Sequence, residues 1–185
     1  MSRTITSGLL AIFLVTAWTG LAQAQVHQRN GFTLELGIGP SAFQVFPSGH
    51  DKRYEFCPGV TISLGGFLNE SMALMFHMHI AARTDGFSME ALSVAQLHFQ
   101  YWFNDWVFLS SGAGMAIYSI GDAFQEAFLG TKGEEKTGFG LSLRTGFSFG
   151  NWENHSLRVA LELVWCVFEN MNALAETITF EWQWF

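Results

Sequence analysis

Three histidines stand where their spacing would let them act together. His77 and His79 are two residues apart, and His98 lies in a second stretch of alternating character. In extended chain, residues i and i+2 share a face, so His77 and His79 point the same way. A hairpin turn over Thr84–Ser88 would lay the two stretches side by side and bring His98 toward His77. Three imidazoles with Glu35 or Glu162 beside them form the donor set of a zinc-like site, which needs three or four N, S or O ligands in tetrahedral array. The competing reading is that the histidines join the hydrogen bonds of a polar interior. That reading takes precedence here, so His77, His79 and His98 are metal candidates only and no cofactor is expected.

Nucleophilic chemistry finds less support. His155 and Ser156 are adjacent, so a strand would send them to opposite sides. His50 follows Ser48 by two positions, outside any alternating stretch. A catalytic triad is defined by geometry, and neither pair supplies it.

The elements that position these residues repeat with a period of two. Phe32, Leu34, Leu36 and Ile38 alternate with Thr33, Glu35 and glycines. The same holds for Val60–Leu64, Met72–Ile80, Leu97–Phe103, Val107–Ile117, Phe139–Phe149, Leu157–Trp165 and Ile178–Trp184. Each segment has an apolar face and a small or polar face, as a strand between two environments does. Eight segments is an even number, which single-chain bacterial membrane barrels require. The polar faces collect Glu35, His77, His79, Gln96, His98, Gln100, Arg144, Arg158, Glu162 and Glu181. If the sheet closes, these residues meet in the lumen. Eight strands enclose just enough room for side chains, so a paired, hydrogen-bonded plug is expected.

The connections sort into two sets. Ser41–Arg53, Thr84–Ser88, Ile120–Lys136 and Glu169–Ala175 are predicted at one end, with Gly66–Glu70, Asn104–Asp105 and Gly150–His155 at the other. Two of the first set are longer than any of the second, the asymmetry of extracellular loops against periplasmic turns. Aromatic residues group at both ends as two girdles, with Trp102 in the periplasmic one and Tyr118 and Phe168 in the other. Cys57 and Cys166 fall near the outer mouth on strands three apart around the ring. That separation argues for two sheltered thiols rather than a disulfide.

The amino terminus reads as an export leader over residues 1–24. Arg3 precedes the apolar run Leu9–Val15, and Ala22-Gln23-Ala24 gives a small-x-small cleavage site. The run is shorter than the about 20 residues a spanning helix needs. Residues 25–185 are then one all-β domain. The chain carries 19 Phe, 7 Trp and 19 Gly, and only 14% of its residues are charged, against about 25% for soluble domains. Acidic residues outnumber basic ones by 16 to 9, which excludes nucleic acid as a partner.

From Phe32 to Phe185 the chain resembles the small eight-stranded outer-membrane barrels of the OmpA and OmpX kind. The carriers are the leader, the eight alternating segments and the terminal Glu181-Trp182-Gln183-Trp184-Phe185. The resemblance implies an antiparallel up-and-down transmembrane barrel, monomeric in the bacterial outer membrane. It also implies that the last strand is read by the barrel-assembly machinery through Trp182, Trp184 and Phe185. Phe185 departs from the family pattern, because Trp182 and Trp184 carry the apolar phase and it falls one step out.

These readings favour a non-enzymatic barrel with a plugged polar lumen. Its outer loops would serve envelope integrity or surface contact, meeting membrane lipid and lipopolysaccharide, the latter through Lys52 and Arg53. The long loop with Phe124 and Phe128 among acidic residues is the recognition candidate. Two alternatives stay open: a lipid-modifying enzyme of the lipid A deacylase or acyltransferase type, and a narrow channel or carrier for small apolar molecules.

Overall fold

The computed structural model describes residue 29 and residues 31–47, 53–85, 88–122, 133–152 and 154–185. The leader predicted over residues 1–24, Ser48, His50, Lys52 and the Phe124–Phe128 stretch lie outside the described residues, as does the side chain of Arg53.

Eight strands follow one another: β1 (Phe32–Pro47), β2 (Arg53–Asn69), β3 (Met72–Asp85), β4 (Ser88–Trp102), β5 (Val107–Asp122), β6 (Glu134–Asn151), β7 (His155–Phe168) and β8 (Met171–Trp184). Each pairs antiparallel with the next, and β1 pairs with β8 to close the barrel. Closure leaves no unpaired sheet edge. The period-two pattern explains the strands. Along β7, Leu161, Leu163, Trp165 and Val167 face outward, while Arg158, Ala160, Glu162, Val164 and Cys166 are buried within. Large apolar side chains cover the outer wall, among them Leu97 at 58% exposure and Phe180 at 60%. A soluble protein does not expose so continuous an apolar band; it suits a hydrocarbon environment.

Short turns join the strands at the end that carries both barrel termini. Asn104 shapes one of them, its Oδ1 accepting bonds of 2.8 Å from the backbone N–H of both Trp106 and Val107. Asn69 Oδ1 likewise accepts from Ser71 N at 2.9 Å. Asparagine favours such turns because its side chain mimics a backbone acceptor. On the wall just above, Trp152, His155, Trp182 and Trp184 stack in a row, with centroid spacings of 4.9, 5.1 and 5.7 Å.

The strands run further at the opposite end than the sequence suggests. Residues 41–47 belong to β1, residues 171–175 to β8, and the β7–β8 link shrinks to Glu169 and Asn170. Only residues 123–133 form a connection clearly longer than the inner turns. The cause is a change in the character of the inward residues, their phase being unchanged. In the outer half of the barrel, inward positions become apolar, as with Phe43 and Val45 on β1 and Leu92 and Val94 on β4. Trp102, Tyr118 and Phe168 also point inward and are buried, so they are not girdle residues.

One seam is incomplete. The β1–β8 ladder passes from Ile38↔Phe180 to Ser41↔Thr177, skipping Gly39 and Pro40 without a change of register. Proline has no N–H to give to a ladder.

Candidate functional site

The lumen holds the chemistry, in tiers set by the inward phase of each strand. At the short-turn end, Trp102 of β4 and Phe108 of β5 pack with ring centroids 5.0 Å apart, beside Ala160 and Phe67. Arg29 lies over the Trp102 ring at 3.8 Å and donates from Nη2 to the Asp105 carbonyl at 2.9 Å. Burial lowers the pKa of its guanidinium to about 10, while Asp105 acts in the opposite sense.

Above this base sits a four-charge cluster drawn from four strands. Arg144 (β6) reaches Glu35 (β1) at 3.0 Å and also bonds Glu181 (β8). Arg158 (β7) reaches Glu35 at 2.7 Å and Glu181 at 3.0 Å, and donates to Gln183 Oε1 at 2.9 Å. Thr179 Oγ1 donates to Glu181 at 2.7 Å, and Gln183 Nε2 donates to Thr33 Oγ1 at 3.0 Å. All four ionic groups are buried. Mutual pairing and added hydrogen bonds are what make such burial tolerable. Phe108 lies under both guanidinium groups, at 5.1 Å from Arg144 and 4.8 Å from Arg158.

The histidines form the next tier. His77 Nε2 stands 3.0 Å from Glu162 Oε1, and Ser63 Oγ lies 2.8 Å from His77 Nδ1. The rings of His77 and His98 are 4.4 Å apart, centroid to centroid. His98 Nδ1 meets Ser110 Oγ at 2.9 Å, and its Nε2 meets Gln96 Oε1 at 3.0 Å and Ser142 Oγ at 2.8 Å. Glycine makes room for this ring: a Cβ on Gly112 would lie 2.0 Å from His98 Cδ2. His79 turns elsewhere, its Nε2 3.0 Å from Thr177 Oγ1, which in turn lies 2.7 Å from Ser41 Oγ. The structure therefore groups His77, His98 and Glu162, with His79 outside the group. Glu35 pairs with the arginines instead. Gln100 is buried on the same inward phase of β4 as Gln96 and His98.

Over the histidines lies an apolar tier of Phe43, Leu92, Val94, Val164, Phe168 and small residues, including both Cys57 and Cys166 as separate thiols. At its outer rim Glu90 accepts from Arg83 Nε at 2.9 Å and from the Tyr118 hydroxyl. Sequence reasoning missed this trio. Glu90 is in phase with Gln96 and His98, and that phase is the signal that would have found it. On the outer wall, His155 stacks between Trp152 and Trp182 while Ser156 is buried on the inward side, so the two point apart.

No known protein family and no curated protein matches the sequence. Solved structures do match in shape. Neisserial surface protein A aligns at 14% identity over 83% of this chain and 96% of that one, with a TM-score of 0.61. The attachment invasion locus protein Ail of Yersinia pestis aligns at 12% identity over 83% and 99%, with a TM-score of 0.55. The outer membrane protein OprG of Pseudomonas aeruginosa aligns at 9% identity over 87% and 98%, with a TM-score of 0.50. With the closed eight-strand ladder and the apolar outer wall, these likenesses identify the fold as that of the small eight-stranded β-barrels of the bacterial outer membrane.

Proposed function

We propose that this chain is a non-enzymatic, non-conducting outer-membrane barrel whose rigid, filled lumen supports outer connections that serve envelope integrity or surface contact. The Glu35–Arg144–Glu181–Arg158 cluster carries the reading. It ties β1, β6, β7 and β8 together across the lumen, with an aromatic base beneath it and an apolar tier above. A pore would need a continuous polar path through the aromatic base, the charge cluster, the histidine tier and the apolar tier. In this reading the barrel works as a monomer held in lipid. Its outer end meets lipopolysaccharide, and Trp182, Trp184 and Phe185 present the last strand to the assembly machinery. Planar-bilayer recording tests the closed lumen: the purified barrel leaves the membrane resistance unchanged, and reproducible unitary currents would refute the proposal.

A second reading, a carrier for small apolar molecules, has one observation behind it. At the incomplete β1–β8 seam a cavity of about 160 Å³ is lined by Pro40, Ala42, Phe56 and Ile178 from the wall and by Ser41 and Thr177 from the lumen side. Uptake of a radiolabelled monoaromatic hydrocarbon by vesicles distinguishes the two. Uptake above that of empty vesicles supports the carrier, and equal uptake supports the closed barrel.

A further inference from the structure

We propose that His77, His98 and Glu162 form a buried divalent-metal site of the zinc class, loaded as the barrel folds and stapling β3, β4 and β7 across the lumen. One donor atom from each residue lies within 4.8 Å of the others, and all three side chains are buried. A tetrahedral ion holds nitrogen and oxygen donors at about 2.0–2.2 Å, which sets them roughly 3.3 Å from one another. His77 Nε2 and Glu162 Oε1 are already 3.0 Å apart.

The orientation of the donors supports this more than their proximity does. Both histidines have Nδ1 against a serine hydroxyl, His77 on Ser63 and His98 on Ser110, at 2.8 and 2.9 Å. Metal-binding histidines are held in this way through the nitrogen that does not ligate. His77 Nε2 is thereby turned toward Glu162, and His98 Nε2 faces Gln96 Oε1 and Ser142 Oγ. Between His77 Nε2 and Glu162 Oε1 there is proximity without hydrogen-bond alignment, and Glu162 Oε2 has no hydrogen-bond partner among the described residues. A buried carboxylate left so is costly, and a cation between the donors would satisfy it.

Charge agrees with geometry. Arg144 and Arg158 make their contacts with Glu35 and Glu181, so no guanidinium contacts Glu162 among the described residues. Imidazole nitrogen with one carboxylate suits zinc or cobalt better than calcium or magnesium, which take oxygen ligands. Ser142 Oγ and Gln96 Oε1, beside His98 Nε2, are placed to give or exchange the fourth ligand. The aromatic base and apolar tier close the lumen below and above, so the ion enters during folding and exchanges slowly.

The test is to express the full chain in minimal medium supplemented with cobalt, then extract it from membranes in mild detergent containing a chelator. Metal is counted by elemental analysis, and its ligands are read by visible and X-ray absorption. The expected result is one cobalt per chain, with tetrahedral d–d bands and two imidazole ligands. Ser110→Ala, which leaves all three donors in place, should weaken retention about 10–100-fold. His98→Gln should abolish it while the barrel still migrates as a folded species in unboiled gels. A folded wild-type barrel that carries no cobalt overturns the proposal whatever the variants do. So does retained cobalt whose absorption shows no imidazole.

Discussion

Arg144 on β6 and Glu35 on β1 meet at 3.0 Å across the lumen, although two strands separate their own around the ring. No hairpin brings them together; only closure of the whole sheet does. Arg144 stands directly opposite Glu162 in the β6–β7 register, yet its guanidinium turns to Glu35 and Glu181. The contact therefore reports on the finished barrel rather than on any local element.

Removing one partner should be costly. Arg144→Ala leaves Glu35 and Glu181 sharing Arg158 alone, in a space without room for bulk solvent. The expected loss is about 3–5 kcal/mol, the usual effect of breaking a buried ion pair. Urea titration of the barrel in lipid vesicles, followed by tryptophan fluorescence, measures it. A loss within experimental error would show that the cluster is hydrated.

Inward glycines should resist even a methyl group. A Cβ on Gly146 would lie 2.3 Å from Phe108 Cε1, within the base that underlies both arginines. Gly146→Ala should cost about 1–3 kcal/mol through overpacking, and Gly66→Ala, where the nearest atom is the Gly31 carbonyl oxygen at 3.3 Å, should cost less. Paired unfolding curves decide the order.

The outer wall should penalise charge by depth. Leu97, exposed on β4, faces the medium between the two rims. Leu97→Arg should destabilise the barrel by about 2–4 kcal/mol in a bilayer, the figure for arginine near the midplane. Lys136→Arg, at the outer end of β6, should change little. Equal effects would place the wall in water.

The seam at Pro40 should be locally weak. Because Gly39 and Pro40 leave the β1–β8 ladder, the amide of Ile178, which faces β1, should exchange faster than that of Trp182 on the same side of β8, measured by deuterium exchange in detergent. Uniform protection along β8 would contradict this.

Much of the barrel was legible because its lower half obeys one rule. Phe32, Leu34, Leu36 and Ile38 point out while Thr33 and Glu35 point in, so apolar meant lipid and polar meant lumen. The rule fails in the outer half. Phe43, Val45, Leu92, Val94 and Phe168 are apolar and inward, and a pattern that equates apolar with outside reads their strands as loop or girdle. The polar set was found by phase, but its groupings were not. Arg144 and Glu162 face each other in register and nevertheless choose different partners. His98 packs against His77 although Gln96 is the residue directly opposite. Such choices depend on side-chain reach across a closed ring, which periodicity does not encode.

The central claim is a lumen filled by side chains and closed to water. Cysteine labelling tests it most directly, in a background with Cys57→Ala and Cys166→Ala. Thr179→Cys places a thiol beside Glu181 in the lumen, and Glu134→Cys places one at the exposed outer end of β6. With a charged maleimide added to the folded barrel, Glu134→Cys should react at once, and Thr179→Cys should react only after unfolding. Labelling of Thr179→Cys in the folded barrel at a rate near that of Glu134→Cys would contradict the account.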